Sequence, residues 1–365
     1  MEQISDINIR PMTRGERSQV RAIMRRSFPL LERCVFEWTP NVLVAEQNGQ
    51  LLGAIVLKLF TLPHHRQGGT ITWVFTAPEA RGRSVGQCLV EAGLTFLDQQ
   101  GCDDILVSVE GFNTSSSKLF ALRGFGILSP AAQFQRYGLG TFLVWAKLFH
   151  YGETGYFLWA RPAPQKADSS TWQWWGTIAA NSAIGFLVLW RLDGANAIEP
   201  VMGLMLPPIL VGLFGLRYLA MKLMALQQGI KVRFRAWESG FPLSIAIAIA
   251  FGGTMYPMPG GVYPITNQWR YRDWLPKLGW IALAGTLPVL LLIWGVWGLS
   301  QMDIPPSSTL STGLKVTLLL GKPLVLFDIV LPFFPFRCFN GRCLWDWNKL
   351  VWVLLATAAL TIWWL

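Results

Sequence analysis

Through the first 160 residues, apolar and polar positions alternate in short patterns that change from segment to segment. INIRPM alternates as a half-buried strand does, and GERSQVRAIMRRSF has helical spacing with its basic residues on one side. NVLVAEQNGQLLGAIVLKLF places two apolar runs around Asn48-Gly49, a dipeptide suited to a tight hairpin turn. TITWVFTAP then reads as a strand, RSVGQCLVEAGLTFLDQQG as a helix closed by glycine, DILVSVEG as a strand and NTSSSKLFALRGF as a short helix. One mixed α/β sheet with helices on its faces accommodates that order. The amphipathic run TFLVWAKLFHYGETGYFLW fits either closure of the sheet or contact with a bilayer.

The pattern changes after RPAPQKADSST, a polar, proline-containing stretch. This divides the chain into residues 1–165 and 166–365. Apolar runs follow at about 172–190, 200–226, 240–258, 278–299, 310–333 and 350–365. About 20 helical residues cover a hydrocarbon core of about 30 Å, so these read as five or six membrane segments. Basic loops at 227–239, 259–277 and 334–349 all fall on the inner side if 240–258 enters and leaves on one face. Five spans and one re-entrant element are therefore expected, with GGTMYPMPGG as irregular backbone that protein must cover.

Composition sharpens this picture. Only 14% of residues are charged, against about 25% in ordinary soluble domains. Of the 19 tryptophans, 15 follow residue 165, which suits membrane interfaces. The net charge of +10 divides into +3 up to Gln165 and +7 beyond it, so the basic excess accompanies the apolar half and no nucleic-acid partner is needed to explain it. Five cysteines without zinc-ligand or CxxC spacing read as reduced, buried thiols. The polar first 20 residues lack a secretory core, which puts the N-terminal half in the cytosol. The expected location is a bacterial inner or internal membrane.

The most informative run is VFTAPEARGRSVGQCLVEAGL, where a strand ends at Ala77-Pro78, a glycine-bearing turn with two arginines follows, and a helix begins. Such a turn aims backbone N–H groups at one point on the positive end of a helix dipole, which suits a pyrophosphate. Arg81-Gly82-Arg83-Ser84-Val85-Gly86 resembles the R/Q-x-x-G-x-G/A turn of the GNAT N-acetyltransferases, and Phe112-Asn113-Thr114, Lys118-Leu119-Phe120 and Arg123-Gly124-Phe125 resemble that family's N-x-x-A…LYEKxGF segment. The likeness covers about residues 7–140. It implies a GNAT-like mixed sheet and an acetyl-CoA or other acyl-CoA cofactor. The diphosphate would lie on the N–H groups of Arg81, Gly82, Arg83, Ser84, Val85 and Gly86, the pantetheine arm would pair along Phe75, Thr76 and Ala77, and Asn113 would contact the arm. In that family an amine attacks the thioester directly. Ser84 stands at the middle-glycine position, and Phe120 stands where the family often has a proton-donating tyrosine. Glu110 is the best candidate for a base, against the alternative of a salt-bridged or solvated strand-end carboxylate. His64 and His65 are candidate proton relays or exposed loop residues.

Residues 200–360 carry a looser resemblance, to the site-2 protease family. Arg217-Tyr218-Leu219-Ala220-Met221 resembles its HExxH run, Gly285-Thr286-Leu287 stands in place of its G-P-x, and Phe339-Asn340-Gly341 in place of its L-D-G. Every metal-ligand position is altered, so neither a metal nor peptide hydrolysis is expected, and the half reads as a pseudoprotease. Asp328 is expected to pair with Arg217 or Lys222, unless Lys222 snorkels to the interface.

Two functions remain. The first is a membrane-tethered acyltransferase acting on an amine, with the lipid bilayer and a membrane-protein client or substrate as partners. The alternative is a non-catalytic scaffold or assembly factor built from two degenerate enzyme domains. The retained turn favours the first.

Overall fold

The computed structural model describes residues 7–150, 154–165, 169–193, 200–251, 254–266 and 269–365. The chain forms two compact units. The first holds residues 1–109, 119–148 and 158–167, and the second holds 110–118, 149–157 and 168–365. The division is therefore not one cut in the sequence, because two short segments from the N-terminal half belong to the second unit.

A seven-stranded sheet dominates the first unit. Its strands are β1 (Asn8–Pro11), β2 (Asn41–Gln47), β3 (Gln50–Thr61), β4 (Gln67–Thr76), β5 (Asp104–Glu110), β6 (Gly126–Ile127) and β7 (Tyr156–Arg161), in the order β1-β2-β3-β4-β5-β7-β6. The β2–β3 hairpin turns at Asn48 and Gly49, both with positive φ, as two-residue loops that match strand twist require. β3 and β4 pair antiparallel, whereas β4 and β5 are parallel. The helices are α1 (Arg17–Ser27), α2 (Leu30–Arg33), α3 (Val85–Gln99), α4 (Thr114–Ala121), α5 (Pro130–Tyr137) and α6 (Thr141–Leu148). α3 buries Val85, Leu89, Val90, Gly93, Leu94 and Leu97 along one stripe. This is a GNAT-like mixed sheet with flanking helices, as expected.

The run 141–159 is part helix and part strand. Its first part is α6, whose Val144, Trp145 and Leu148 are buried, and its last part opens β7. α5, α6 and β7 share a core with Phe60, Leu62, Leu106 and Leu128. At that end the buried Asp104 carboxylate accepts from Arg66 at 2.6 Å, from the Tyr137 hydroxyl at 2.9 Å and from Arg136. Burial and then the Asp104 charge push the Tyr137 phenol well above its ordinary range, which keeps it a donor.

The second unit contains α7 (Ser170–Asp193), α8 (Pro200–Gln227), α9 (Phe241–Ala250), α10 (Tyr271–Ser300), α11 (Thr309–Val325), α12 (Asn340–Trp347) and α13 (Lys349–Trp364). A π-helical turn over Leu326–Val330 follows α11, and β8 (Val232–Arg235) pairs antiparallel with β9 (Gly261–Pro264). Among the described residues two helices are long and apolar enough to cross a membrane, Val201–Gln227 and Tyr271–Ser300. The run 240–258 is helical only over the ten residues of α9, which cover about 15 Å at 1.5 Å per residue. Past α9 the backbone is extended and buried around Met258, whose carbonyl accepts from Asn181 Nδ2 at 2.9 Å and whose N–H donates to Asn181 Oδ1 at 3.0 Å. One side-chain amide thus satisfies both polar groups of an irregular residue.

Asp104→Ala leaves two arginines and a phenol without their shared acceptor. In the full chain it should lose about 2–3 kcal/mol of local stability, read as faster amide hydrogen exchange across β5 and α5.

Candidate active site

The sheet fails to close at its centre. β4 pairs with β5 only at Gly68–Asp104, Gly69–Ile105 and Thr70–Leu106, yet β4 continues to Thr76 and β5 to Glu110. On its other edge β4 stays paired with β3 as far as Gly53–Thr76. A slot therefore opens between β4 and β5 beyond Leu106. Ala77 N–H donates to Leu52 O at 2.7 Å, so antiparallel alternation turns Ala77 and Phe75 toward β3, and Val74 and Thr76 toward the slot. The Thr76 carbonyl already accepts from Ser27 Oγ at 3.1 Å, which leaves its N–H on that edge. The Phase of the alternation removes Phe75 and Ala77 as backbone partners of an arm in the slot and adds Val74, which residue spacing alone did not reveal. The Phe75 ring instead packs with Phe28 and Phe36 at centroid separations of 6.0 and 6.1 Å.

At the C-terminal end of β4, Pro78–Ala80 makes one 3-10 turn, the chain bends through Arg81 to Ser84, and α3 begins at Val85. Gln87 and Cys88 N–H both bond Ser84 O, at 2.9 and 3.1 Å. The amides of Val85 and Gly86 precede any carbonyl the helix can offer, so they point outward at the positive end of a 15-residue helix. The bend is open. Arg81, Gly82 and Arg83 are exposed, a Cβ on Gly82 would meet nothing within 4 Å, and one on Gly86 would meet only Thr76 Cγ2 at 3.9 Å. Arg83 reaches away to Gln47 Oε1 at 2.8 Å, leaving Arg81 as the arginine beside the bend.

Residues 3–125 match the model of the Acetyltransferase (GNAT) family. Over 97 residues the chain is 29% identical to a mycothiol acetyltransferase of Renibacterium salmoninarum, covering 26% of this chain and 29% of that protein. Over 101 residues it is 32% identical to a mycothiol acetyltransferase of Salinispora tropica, covering 27% and 33%. The chain thus spans about a third of the length of the curated relatives it matches. Among solved structures it is similar to the ribosomal-protein-S18-alanine N-acetyltransferase of Escherichia coli at 13% identity and a TM-score of 0.31, over 45% of this chain and 97% of that one, a likeness with no bearing on function.

Within the matched segment, Ser84 explains its own oddity. Its φ is +59° and ψ is 7°, a left-handed conformation that glycine adopts freely and serine does not. Phe120 is buried and packs on Phe125 at 5.2 Å, so an apolar ring fills the position where the family often has tyrosine. His64 and His65 lie in the turn before β4, at the opposite end of that ten-residue strand from Pro78, too far to relay protons at the bend.

Asn113 and Glu110 both belong to the second unit. Asn113 is exposed, and its Oδ1 accepts from Ser116 N–H at 3.1 Å, capping α4 while its amide NH2 stays available. Glu110 is buried and accepts from Arg342 Nη1 at 3.0 Å and from Phe112 N–H at 3.3 Å. Both contacts fall on Oε1.

A second constellation lies among the apolar helices. Arg217, Met221 and Asn340, 119 residues apart at the extremes of the last pair, meet around Asp328. Arg217 Nε and Nη2 donate to the two Asp328 oxygens at 3.0 and 2.9 Å, Asn340 Nδ2 donates to Oδ2 at 2.9 Å, and Arg217 Nη1 donates to Gly260 O at 2.8 Å. Arg217 and Asp328 are 2% and 3% exposed, so the bidentate pair is desolvated and each charge depends on the other. Gly285 closes the group, since a Cβ there would meet Met221 Cγ at 2.5 Å. Lys222, the other expected partner, is exposed and lies over the Tyr218 ring at 5.8 Å. Among the described residues no three His, Cys, Asp or Glu side chains are grouped to hold a metal ion.

Ser84→Gly should relieve the left-handed strain and stabilise the turn by up to about 1 kcal/mol, read by thermal unfolding of the full chain. Asp328→Asn should cost about 3–5 kcal/mol and lower the amount of folded protein, whereas Arg217→Met with Asp328→Leu should restore most of it, measured by size-exclusion chromatography of the solubilised chain.

Proposed function

We propose that the chain is an acyl-CoA-dependent N-acyltransferase whose GNAT domain is tethered to a bilayer by its apolar half. The observation that carries this reading is the slot between β4 and β5 ending in the open bend at Arg81–Gly86. The N–H groups of Val85 and Gly86 with the Arg81 guanidinium hold a diphosphate, and the Val74 and Thr76 backbone pairs with an extended amide-bearing arm. Asn113 contributes its free NH2. Acyl-CoA, when bound, supplies an activated acyl thioester. The chain's own part is to align an amine with that carbonyl, keep water from the slot and take up a proton, a role proposed for Glu110, whose two hydrogen bonds both fall on Oε1. The name of the curated relatives, mycothiol acetyltransferase, supports acetyl as the transferred group.

The apolar half supports a tethering role and no hydrolysis. Arg217, Met221 and Asn340, the three positions that stand for metal ligands in the site-2 protease resemblance, come together with Gly285, which supports a shared architecture. Their side chains meet as an ion pair and its amide partner, which makes the half a pseudoprotease in this reading. Two membrane-length helices support an integral membrane protein with the GNAT domain in the cytosol, and the bilayer and a membrane-protein client as partners.

The test uses the full chain, because residues 110–118 fold with the second unit. Calorimetric titration of the detergent-solubilised protein with acetyl-CoA should show one site. Gly86→Glu, which has room for its Cβ but sets a carboxylate at the anion bend, should abolish binding while leaving the circular dichroism unchanged. Absence of heat with acetyl-CoA and with longer acyl-CoAs would leave the scaffold as the function.

A further inference from the structure

A cleft of about 480 Å³ opens in the second unit beside the start of α10. Its walls include Ser115 and Lys118 from α4 and Trp269, Arg270, Asp273 and Trp274 from the head of α10.

Its charges are uncommitted. Lys118, Arg270 and Asp273 are exposed, and none makes an ion pair among the described residues. Two cations and one carboxylate leave the cleft with a net positive charge, and Arg272 and Lys277 on the next turns of α10 add to it while remaining exposed. The aromatic wall is fixed rather than loose. Trp269 is 7% exposed, stacks on Trp274 at 5.2 Å and 28°, and is held edge-on by Phe112 at 6.4 Å. Thr114, at the floor, has its Oγ1 engaged by Tyr271 N–H at 3.4 Å.

These groups divide by chemistry. Lys118, Arg270 and the Ser115 hydroxyl are donors suited to phosphate oxygens, Arg as a planar fork and Lys as a point charge. The stacked indoles offer an apolar face with polar edges, the surface that takes up the glycerol and first methylenes of a lipid at headgroup depth. The cleft also lies at the first turn of a 30-residue helix of membrane-spanning length, where such a helix meets headgroups. We infer that this cleft binds the phosphate headgroup of one anionic phospholipid. The inference rests on the membrane reading of α10 and is independent of the transfer chemistry. The ligand chemistry is a phosphate ester, and the lipid is its source because the indole wall has no task toward a free phosphate.

Native mass spectrometry of the full chain in detergent, titrated with dioleoylphosphatidylglycerol or dioleoylphosphatidylcholine, tests it. One phosphatidylglycerol should be retained in preference to phosphatidylcholine, and Lys118→Gln with Arg270→Gln should weaken retention about tenfold. Arg25→Gln with Lys147→Gln, which removes the same charge from exposed sites elsewhere, should leave it unchanged. Equal loss in both double variants, or no preference between lipids, overturns the site. Displacement of the lipid by millimolar inorganic phosphate overturns the lipid as the ligand. A chain that stays monodisperse without detergent and enters no nanodisc overturns the membrane reading itself, and that result is distinct because it precedes any lipid titration.

Discussion

A strand edge in the middle of a sheet has to be hydrogen-bonded by something. β4 and β5 lie side by side in the order of the sheet and yet share only three residue pairs, after which β4 runs six residues further with one edge open. Burying such an edge unpaired costs about 1–3 kcal/mol for each group. The fold leaves the gap at the sheet's centre rather than at a rim, where a charged or bulged strand would blunt it. In the proposed function the slot, the bend that follows it and α3 form one device: a line of donors for an extended arm, ending in amides and an arginine for its anionic end.

Much of that device was legible in residue order. Asn48-Gly49 identified the hairpin because positive φ at both positions leaves few other residues, and Pro78 followed by glycine-bearing RGRSVG identified the strand-to-helix bend for similar steric reasons. The positions of Arg81, Gly82 and Gly86 could be read directly. The direction of each amide along β4 could not, since it depends on the phase of pairing with β3, and a single shift at Val56/Leu57 sets that phase. For the same reason Val74 went unseen, and nothing in residue order showed that Phe75 and Ala77 turn their backbone groups toward β3. α6 and β7 were hidden because one amphipathic run serves as both helix and strand, and only its packing on Leu106 and Leu128 separates them.

Among the apolar helices the informative residues were those that do not belong in hydrocarbon. Asp328 required a cation, and helical spacing offered Arg217 and Lys222. The choice fell to Arg217 because Asn340 and the Gly260 carbonyl complete its environment, while Lys222 remains exposed. Asn181 carried no such mark. Its role depends on a partner 77 residues away whose backbone leaves regular structure, and no local pattern announces that.

The assignment of residues 110–118 to the second unit sets a timetable for biosynthesis. Glu110 is made 232 residues before Arg342, and Phe112 about 150 before Tyr263 and Trp269. At roughly 5–20 residues per second, Glu110 leaves the ribosome roughly ten to fifty seconds ahead of its cation. The segment that carries Asn113 is thus translated well before the residues it packs against, and for that interval its apolar and charged groups wait without their partners.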